Sequence, residues 1–348
     1  MSLHAIESTR QGEGLPMTPG EVVNTYQELK SQLDTALYGE DYAKDIAIAA
    51  VASQNPAGFF GLAGGGKSTL TRSIAKAIGL DYYSDDVAFV PGQHDLTATR
   101  VVGGTLKRTK KAGNGEAVEE FEEVKGIFQP ATVLAHFEEI TGTNPYALRA
   151  SMSVFESRQL ETNAGVTDIP NLLTALASGN PSRREDGTFL LPDPVASRIA
   201  MGAIMGIKPP TLEERIAHNK KVKETKQRGG EKNVQPVTNP ERLRAIGRYL
   251  AGVAVDSAAA DKLDLITVGV ADMLKEEFRV SETDNRINLQ LDINARALAG
   301  LRNADYAVRE EDIFDATRSV IAARMGTKPH KEEDLDRVED LVKTITRL

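Results

Sequence analysis

The sequence predicts an α/β protein, a parallel sheet flanked by helices and followed by an all-helical region. Three observations carry this. A short apolar run, Gly58-Phe59-Phe60, passes through a glycine-rich turn into a segment with Leu70, Ile74, Ala77 and Ile78 on one helical face. Further apolar runs at 133–137 and 173–177 alternate with helical patterns up to about residue 210. Beyond Pro240 the periodicity is helical alone, through Leu250, Leu265, Leu289, Leu298, Ile313 and Ile321. Strands and helices that alternate, with loops at the strand ends, describe a doubly wound parallel sheet.

Taken in order, residues 1–18 form a polar N-terminus expected to be flexible. Thr18-Pro19-Gly20-Glu21 then opens a helix, with Thr as cap, Pro at the first helical position and Glu at the third. Val22, Tyr26, Leu29 and Leu33 continue it to about Leu37, and Tyr38-Gly39-Glu40 breaks it. A second helix is expected over Asp41 to Ser53. The glycine-rich turn follows, and Gly79 ends its helix. Residues 107–123 read as a charged hairpin or helical insert, and 148–155 as a helix. The stretch 211–234 is charged and contains Gly229-Gly230. The predicted organisation is a nucleotide-binding core over 19–210, a charged linker over 211–234 and a helical domain over 235–348. Glu332, Leu335, Val338, Leu341 and Ile345 place an amphipathic helix at the end.

Composition narrows the function. The 348 residues suffice for two domains, and 41% apolar content supports a sizeable core. A net charge of -8 argues against a broadly basic surface that wraps nucleic acid, and 5% aromatics with no Trp leave few base-stacking platforms. With no cysteine, disulfides, thiolate metal sites and Cys nucleophiles are excluded. The five His are scattered and form no metal motif. No run approaches the ~18 apolar residues of a membrane span. The expectation is a soluble cytoplasmic protein.

Gly61-Leu62-Ala63-Gly64-Gly65-Gly66-Lys67-Ser68 fits the phosphate-loop pattern G-x-x-x-x-G-K-[ST], with strand before and helix after. The glycines Gly61, Gly64, Gly65 and Gly66 let backbone N–H groups turn inward around a phosphate at a helix start, where the dipole favours anions. Lys67 supplies positive charge to the β- and γ-phosphates of ATP, Ser68 is the expected Mg²⁺ ligand, and Thr69 follows in the first helical turn. Glu138-Glu139 close the apolar run 133–137. At a strand end facing the loop they suit a second Mg²⁺ ligand (Glu138) and a carboxylate that polarises the attacking water (Glu139). Taken alone, they would read equally as two solvated acids at a strand end.

These motifs, over roughly residues 19–325, resemble the MoxR family of AAA+ ATPases and, more distantly, the AAA+ subunit of magnesium chelatase. Leu37-Tyr38-Gly39-Glu40 resembles the family's V-x-G-Q segment, which implies that Tyr38 and Gly39 contact adenine. Gly126-Ile127-Phe128 resembles G-P-I-F, and Ala177-Ser178-Gly179-Asn180-Pro181 resembles A-T-Q-N-P, so Asn180 looks like the sensor residue that orients water near the γ-phosphate. Gly187-Thr188-Phe189-Leu190-Leu191-Pro192-Asp193 resembles G-T-Y-P-L-P-E, and Arg198 falls on the family's arginine finger. Ala295-Arg296-Ala297-Leu298-Ala299, Asp305-Tyr306-Ala307 and Glu310-Glu311-Asp312-Ile313 resemble the helical lid. By that register Arg286 looks like the sensor-2 arginine, acting in the site of its own chain. Without the register, each arginine would read as a surface or lid salt bridge. Departures are Glu138 for Asp, Ile140-Thr141-Gly142 for I-N-R, Ala196-Ser197 for Leu-Asp and Asn285 for Pro.

The resemblance implies an αβα AAA+ core with a helical lid. It implies a homo-oligomer, a hexameric ring, that hydrolyses ATP with Mg²⁺ to remodel or activate a client protein, which in this family can be a von Willebrand factor A-domain protein. A nucleotide-gated scaffold with little turnover, a DNA-acting motor and a small-molecule kinase are the competing readings. The insert 107–123 reads equally as a client contact or a solvated loop. The basic run from Lys220 to Lys232 reads as a solvated helix and linker rather than a nucleic-acid contact. His136 reads as a hydrogen-bonded core histidine.

Overall fold

The computed structural model describes residues 17–61, 63–111, 117–162, 165–180, 189, 191–206, 211–278, 284–304, 307–325 and 338–347. The expected flexible N-terminus lies almost wholly outside them, as do Pro181, Gly187-Thr188, Leu190, Asp305-Tyr306, Glu332 and Leu335.

Helix α1 (Pro19–Ala36) starts on a capping box: the Thr18 hydroxyl accepts from the Glu21 N–H, and the Glu21 carboxylate accepts from Thr18 N. Helix α2 spans Asp41–Ser53. Strand β1 (Ala57–Gly61) leads through the glycine-rich turn into α3 (Lys67–Ala77). Then come β2 (Val87–Val90), α4 (Ala98–Val102), the hairpin β3 (Gly104–Lys111) and β4 (Ala117–Val124), and β5 (Leu134–Phe137). Helices α5 (Pro145–Ala150) and α6 (Met152–Glu156) divide at Ser151 the single helix expected at 148–155. They are followed by the hairpin β6 (Gln159–Thr162) and β7 (Gly165–Asp168), by β8 (Thr174–Gly179), α7 (Asp193–Ala196) and β9 (Met201–Met205). The remainder is helical: α8 (Leu212–Gln227), α9 (Pro240–Ala251), α10 (Ser257–Phe278), α11 (Asp284–Arg302), α12 (Glu310–Met325) and α13 (Val338–Thr346).

The central sheet has five parallel strands in the order β2-β5-β8-β1-β9. Its side chains alternate between two cores, as period-2 geometry requires. Phe59, Leu134, Leu176 and Met201 pack on the face covered by α1, α2, α3 and α9. Phe60, Phe137, Ala177 and Ile204 face the other core, with residues of α5, α6, α10, α11 and α12.

The C-terminal helices pack back on the sheet's β9 edge. A Cβ at Gly202 would stand 2.4 Å from Ala323 N, so β9 and α12 approach as closely as glycine allows. Within α10 the buried stripe is Leu263, Ile266, Val270 and Leu274, while Leu265 falls between its turns and is exposed; Leu289 on α11 is likewise exposed. Arg302 ties α11 to α2 and α12, with nitrogens 3.0 Å from Asp45, 2.7 Å from Asp315 and 3.7 Å from Asp312. Asp45 also accepts from Tyr26 (2.8 Å) and Lys30 (2.7 Å) of α1.

The 107–123 insert is a hairpin. Lys107 lies opposite Phe121 and Arg108 opposite Glu120 in backbone register, and Lys107 pairs with Glu119 at 2.6 Å. The stretch expected as a charged linker folds as α8, capped by Thr211 and Glu214, with a 3-10 turn at Gly230–Asn233.

Replacing Arg302 with Met leaves Asp45, Asp312 and Asp315 without their shared cation. Urea unfolding of this variant is expected to show a loss of about 3 kcal/mol. A loss near zero would mean that the hub does not hold the helical region to the core.

Candidate active site

In a parallel sheet the strand ends point the same way, so β1, β5 and β8 deliver their last residues to one crevice. The register Phe60↔Gly179 and Phe137↔Ala177 fixes which residues meet there.

Gly61 ends β1 at φ +149, where a Cβ would lie 1.9 Å from Met205 O, so the strand end admits no side chain. Gly64 and Gly66 both take φ +86, the left-handed region that glycine enters without steric cost. A Cβ on Gly66 would also meet Leu37 Cδ1 at 2.5 Å. The turn therefore aims the start of α3 at the crevice, with Lys67 as the first helical residue.

Lys67 is 5% exposed. Its Nζ donates to Gly61 O at 2.8 Å and to Asn180 Oδ1 at 2.9 Å. Burial pulls its pKa below the ordinary lysine value, and the charges of Glu139 and Glu40 oppose that pull. Asn180, just past β8, donates its backbone N–H to Glu139 Oε2 at 3.3 Å. Its carbonyl accepts from Thr141 Oγ1 at 3.2 Å. Glu139 sits at φ +48, tight against Gly92, where a Cβ would come 2.4 Å from Glu139 O. Lys67, Asn180 and Glu139 thus form one chain of contacts across the crevice. Glu138 points instead toward α3, with Oε1 3.6 Å from Arg72 Nη2.

Beside this chain lies a cavity of about 970 Å³, lined by Gly64, Gly65, Gly66, Lys67, Ser68, Thr69 and Glu139, by Leu37, Tyr38 and Glu40, and by one face of α8. Such a volume accommodates a nucleotide-sized ligand. Glu40 Oε1 accepts from Gly206 N at 2.8 Å, and burial raises its pKa above the usual carboxylate value. Gly39 takes φ +70 beneath His218, whose ring stands 5.5 Å from that of Tyr38.

The α8 wall was missed in the sequence, although its signal is there. Arg215, His218, Asn219, Val222 and Lys226 recur at helical spacing behind the Thr211–Glu214 capping box, and all line the cavity. Gly92 and Arg72 were missed as well, since neither belongs to a motif.

Arg198 and Arg286 do not line this cavity. The Nε and Nη2 of Arg198 donate to Glu156 Oε2 at 3.0 and 2.5 Å, and its Nη1 donates to Pro194 O. Arg286 Nη1 donates to Ser197 Oγ at 2.6 Å. The structure therefore brings Arg286 to the residue next to Arg198 and not to Lys67.

His136 is the expected buried core histidine. It hydrogen-bonds the Tyr82 hydroxyl, and burial, with Arg72 nearby, pulls its pKa down to about 3, so the ring is neutral.

The donors suit ATP with Mg²⁺. Glycine-shaped backbone and a buried ammonium make a phosphate cradle. Among the described residues no three acidic or histidine side chains cluster as a metal cage. Mg²⁺ needs none, because it takes one or two carboxylates plus phosphates and keeps several waters. Ser68 lines the cavity, whereas Glu138, the other expected ligand, is not among its lining residues and lies beside Arg72.

Residues 59–198 match the AAA domain of the dynein-related subfamily. This chain carries an AAA domain. A candidate ATPase from Cytophaga hutchinsonii has a similar crystal structure, with a TM-score of 0.67 at 16% identity, covering 94% of this chain and 95% of that one. At that identity the likeness speaks for the fold alone. No curated protein matches the sequence. Among the described residues no helix is long and apolar enough to cross a membrane.

Because α8 has no buried residue, its cavity face can be tested apart from folding. His218→Ala is expected to weaken ATP binding roughly fivefold, about 1 kcal/mol, with an unchanged melting temperature. Unchanged affinity would remove α8 from the site.

Proposed function

We propose that this protein is a MoxR-like AAA+ ATPase that binds and hydrolyses ATP in a ring, with a hexamer as the expected form, to remodel or activate a partner protein. The observation that carries the reading is the contact chain Lys67–Asn180–Glu139 across the strand ends, beside a cavity of nucleotide size.

The backbone of Gly64–Gly66 and the Lys67 ammonium hold the β- and γ-phosphates, and the resemblance assigns the base to Tyr38 and Gly39. Ser68 and Glu138 would hold Mg²⁺, which would neutralise charge across those phosphates. Glu139 accepts a proton from water as the water oxygen attacks the γ-phosphorus, and the bond to the β–γ bridging oxygen breaks to give ADP and phosphate. Asn180 holds Glu139 through its backbone N–H and presents its side chain beside Lys67, so it can orient that water. A triphosphate offers the Lys67 ammonium full counter-charge.

Arg198 and Arg286 lie outside their own chain's cavity and meet at Ser197. Arginines outside their own cavity suit the nucleotide of a neighbouring subunit, where a finger stabilises the charge that spreads over the γ-phosphate oxygens. This assigns Arg286 to a neighbour's site in place of its own. The partner class that the resemblance implies, a von Willebrand factor A-domain protein, is the client to try first.

A scaffold with little turnover is the second reading, favoured by the tie between Arg198 and Glu156 within one chain, which engages the finger. ATPase rate measured together with oligomer mass separates the two. Glu139→Gln is expected to bind ATP and lose about 10²–10⁴ in turnover. Arg198→Ala is expected to bind normally, lose about 10³ in turnover, and regain part of it when mixed with Glu139→Gln subunits, which carry an intact finger. Full activity from a monomer would refute the finger, and ATP binding without turnover in the wild type would select the scaffold.

A further inference from the structure

One run of side chains leaves the sheet behind the cavity and returns to it. Arg72 lies on α3, five residues after Lys67. Its Nη2 stands 3.6 Å from Glu138 Oε1. Its guanidinium lies over the Tyr82 ring, 5.6 Å from the centroid. The Tyr82 hydroxyl hydrogen-bonds Nδ1 of His136, a fully buried residue of β5. The imidazole is fixed in turn by Phe89, an edge contact with centroids 5.7 Å apart. His136 precedes Glu138 by two residues on the same strand. The path thus runs from β5 through His136, Tyr82 and Arg72, and comes back to the end of β5 at Glu138.

We infer that Arg72 is a positioning residue for the Glu138 carboxylate, and that Tyr82 is the platform that holds Arg72. The inference rests on the ATPase reading of the site. Glu138 is a long side chain, a quarter exposed, at a strand end. Left alone, its carboxylate would spread over several rotamers, and ordering it would cost free energy each time Mg²⁺ bound. A guanidinium is flat, so it stacks on an aromatic face and presents its donors in a fixed direction. Arg72 Nε is buried with no hydrogen-bond partner, and the group is held by Tyr82, through its hydroxyl as well as its ring, and by Glu138. At 3.6 Å the pair is loose enough for Glu138 to keep an oxygen for the water shell of Mg²⁺. Outer partners of this kind set the orientation of a metal-facing carboxylate. The arrangement also accounts for a glutamate at this position: the longer arm is steadied by a cation on the helix that carries Lys67 and Ser68.

The test uses the full chain in a Glu139→Gln background, where bound ATP persists, and titrates ATP by calorimetry at stepped Mg²⁺ concentrations. Arg72→Met is expected to raise the Mg²⁺ concentration for half-maximal ATP binding about tenfold and to leave metal-free ATP binding unchanged. Arg72→Lys is expected to recover part of the shift. Tyr82→Leu, which keeps every charge near Glu138, is expected to shift it in the same direction by less, and it carries the test alone should Arg72→Met fail to fold by thermal melting. Unchanged Mg²⁺ dependence overturns the inference. So does tighter Mg²⁺ binding, which would make Arg72 a competitor of the metal. If the parent chain binds no ATP with or without Mg²⁺, the ATPase reading itself fails, a different result from either of these.

Discussion

A buried ammonium at the end of β1 is the constraint on which the crevice depends. Lys67 loses most of its water on folding, and an unpaired charge there would be prohibitive. The sheet answers with Gly61 O from its own turn and Asn180 Oδ1 from the end of β8. Asn180 is delivered by strand register, and its N–H in turn holds Glu139. A slip between β1 and β8 would turn Phe60 and Leu176 to the wrong cores and strip Lys67 of an acceptor at once. Packing and charge therefore specify the same alignment.

The walls of the crevice differ in how they are anchored. On the helical side, Arg324 of α12 is buried and donates to Ala196 O, Ser197 O, Ile199 O and Gln290 Oε1. Gln290 and Asn294 of α11 donate to Ser197 O and Ala200 O. The turn that carries Arg198 is thus clamped from two helices, which the Arg302 hub joins to the core. By contrast, α8 buries none of its side chains and touches the site by one polar face. With no buried side chain, α8 is held less firmly than the finger turn.

Much of this could be read in the sequence where local chemistry decides. Thr18-Pro19-Gly20-Glu21 set the start of α1, the glycine run set the phosphate turn, and apolar runs placed β5 and β8. In the 107–123 insert two strands pair antiparallel as the opposite charges of its arms suggested, with Lys107 bonded to Glu119 across them. What escaped depends on distant partners. Leu265 and Leu289 share the helical period of their neighbours but fall outside the stripes set by the packing of α10 and α11. Serine at 151 interrupts a helix that the apolar pattern alone would carry through. Arg286 lies in the expected helix, yet its guanidinium reaches Ser197, a residue distant in sequence. The charge of 211–227 suggested solvent on all sides, and it concealed a face that meets the cavity.

The most direct measurement is calorimetric titration of Mg-ATP into the intact chain and into Lys67→Ala. One binding event per chain that disappears with the lysine is the predicted result. An equal heat from both proteins, or none from either together with no rise in melting temperature, would contradict the account at its root.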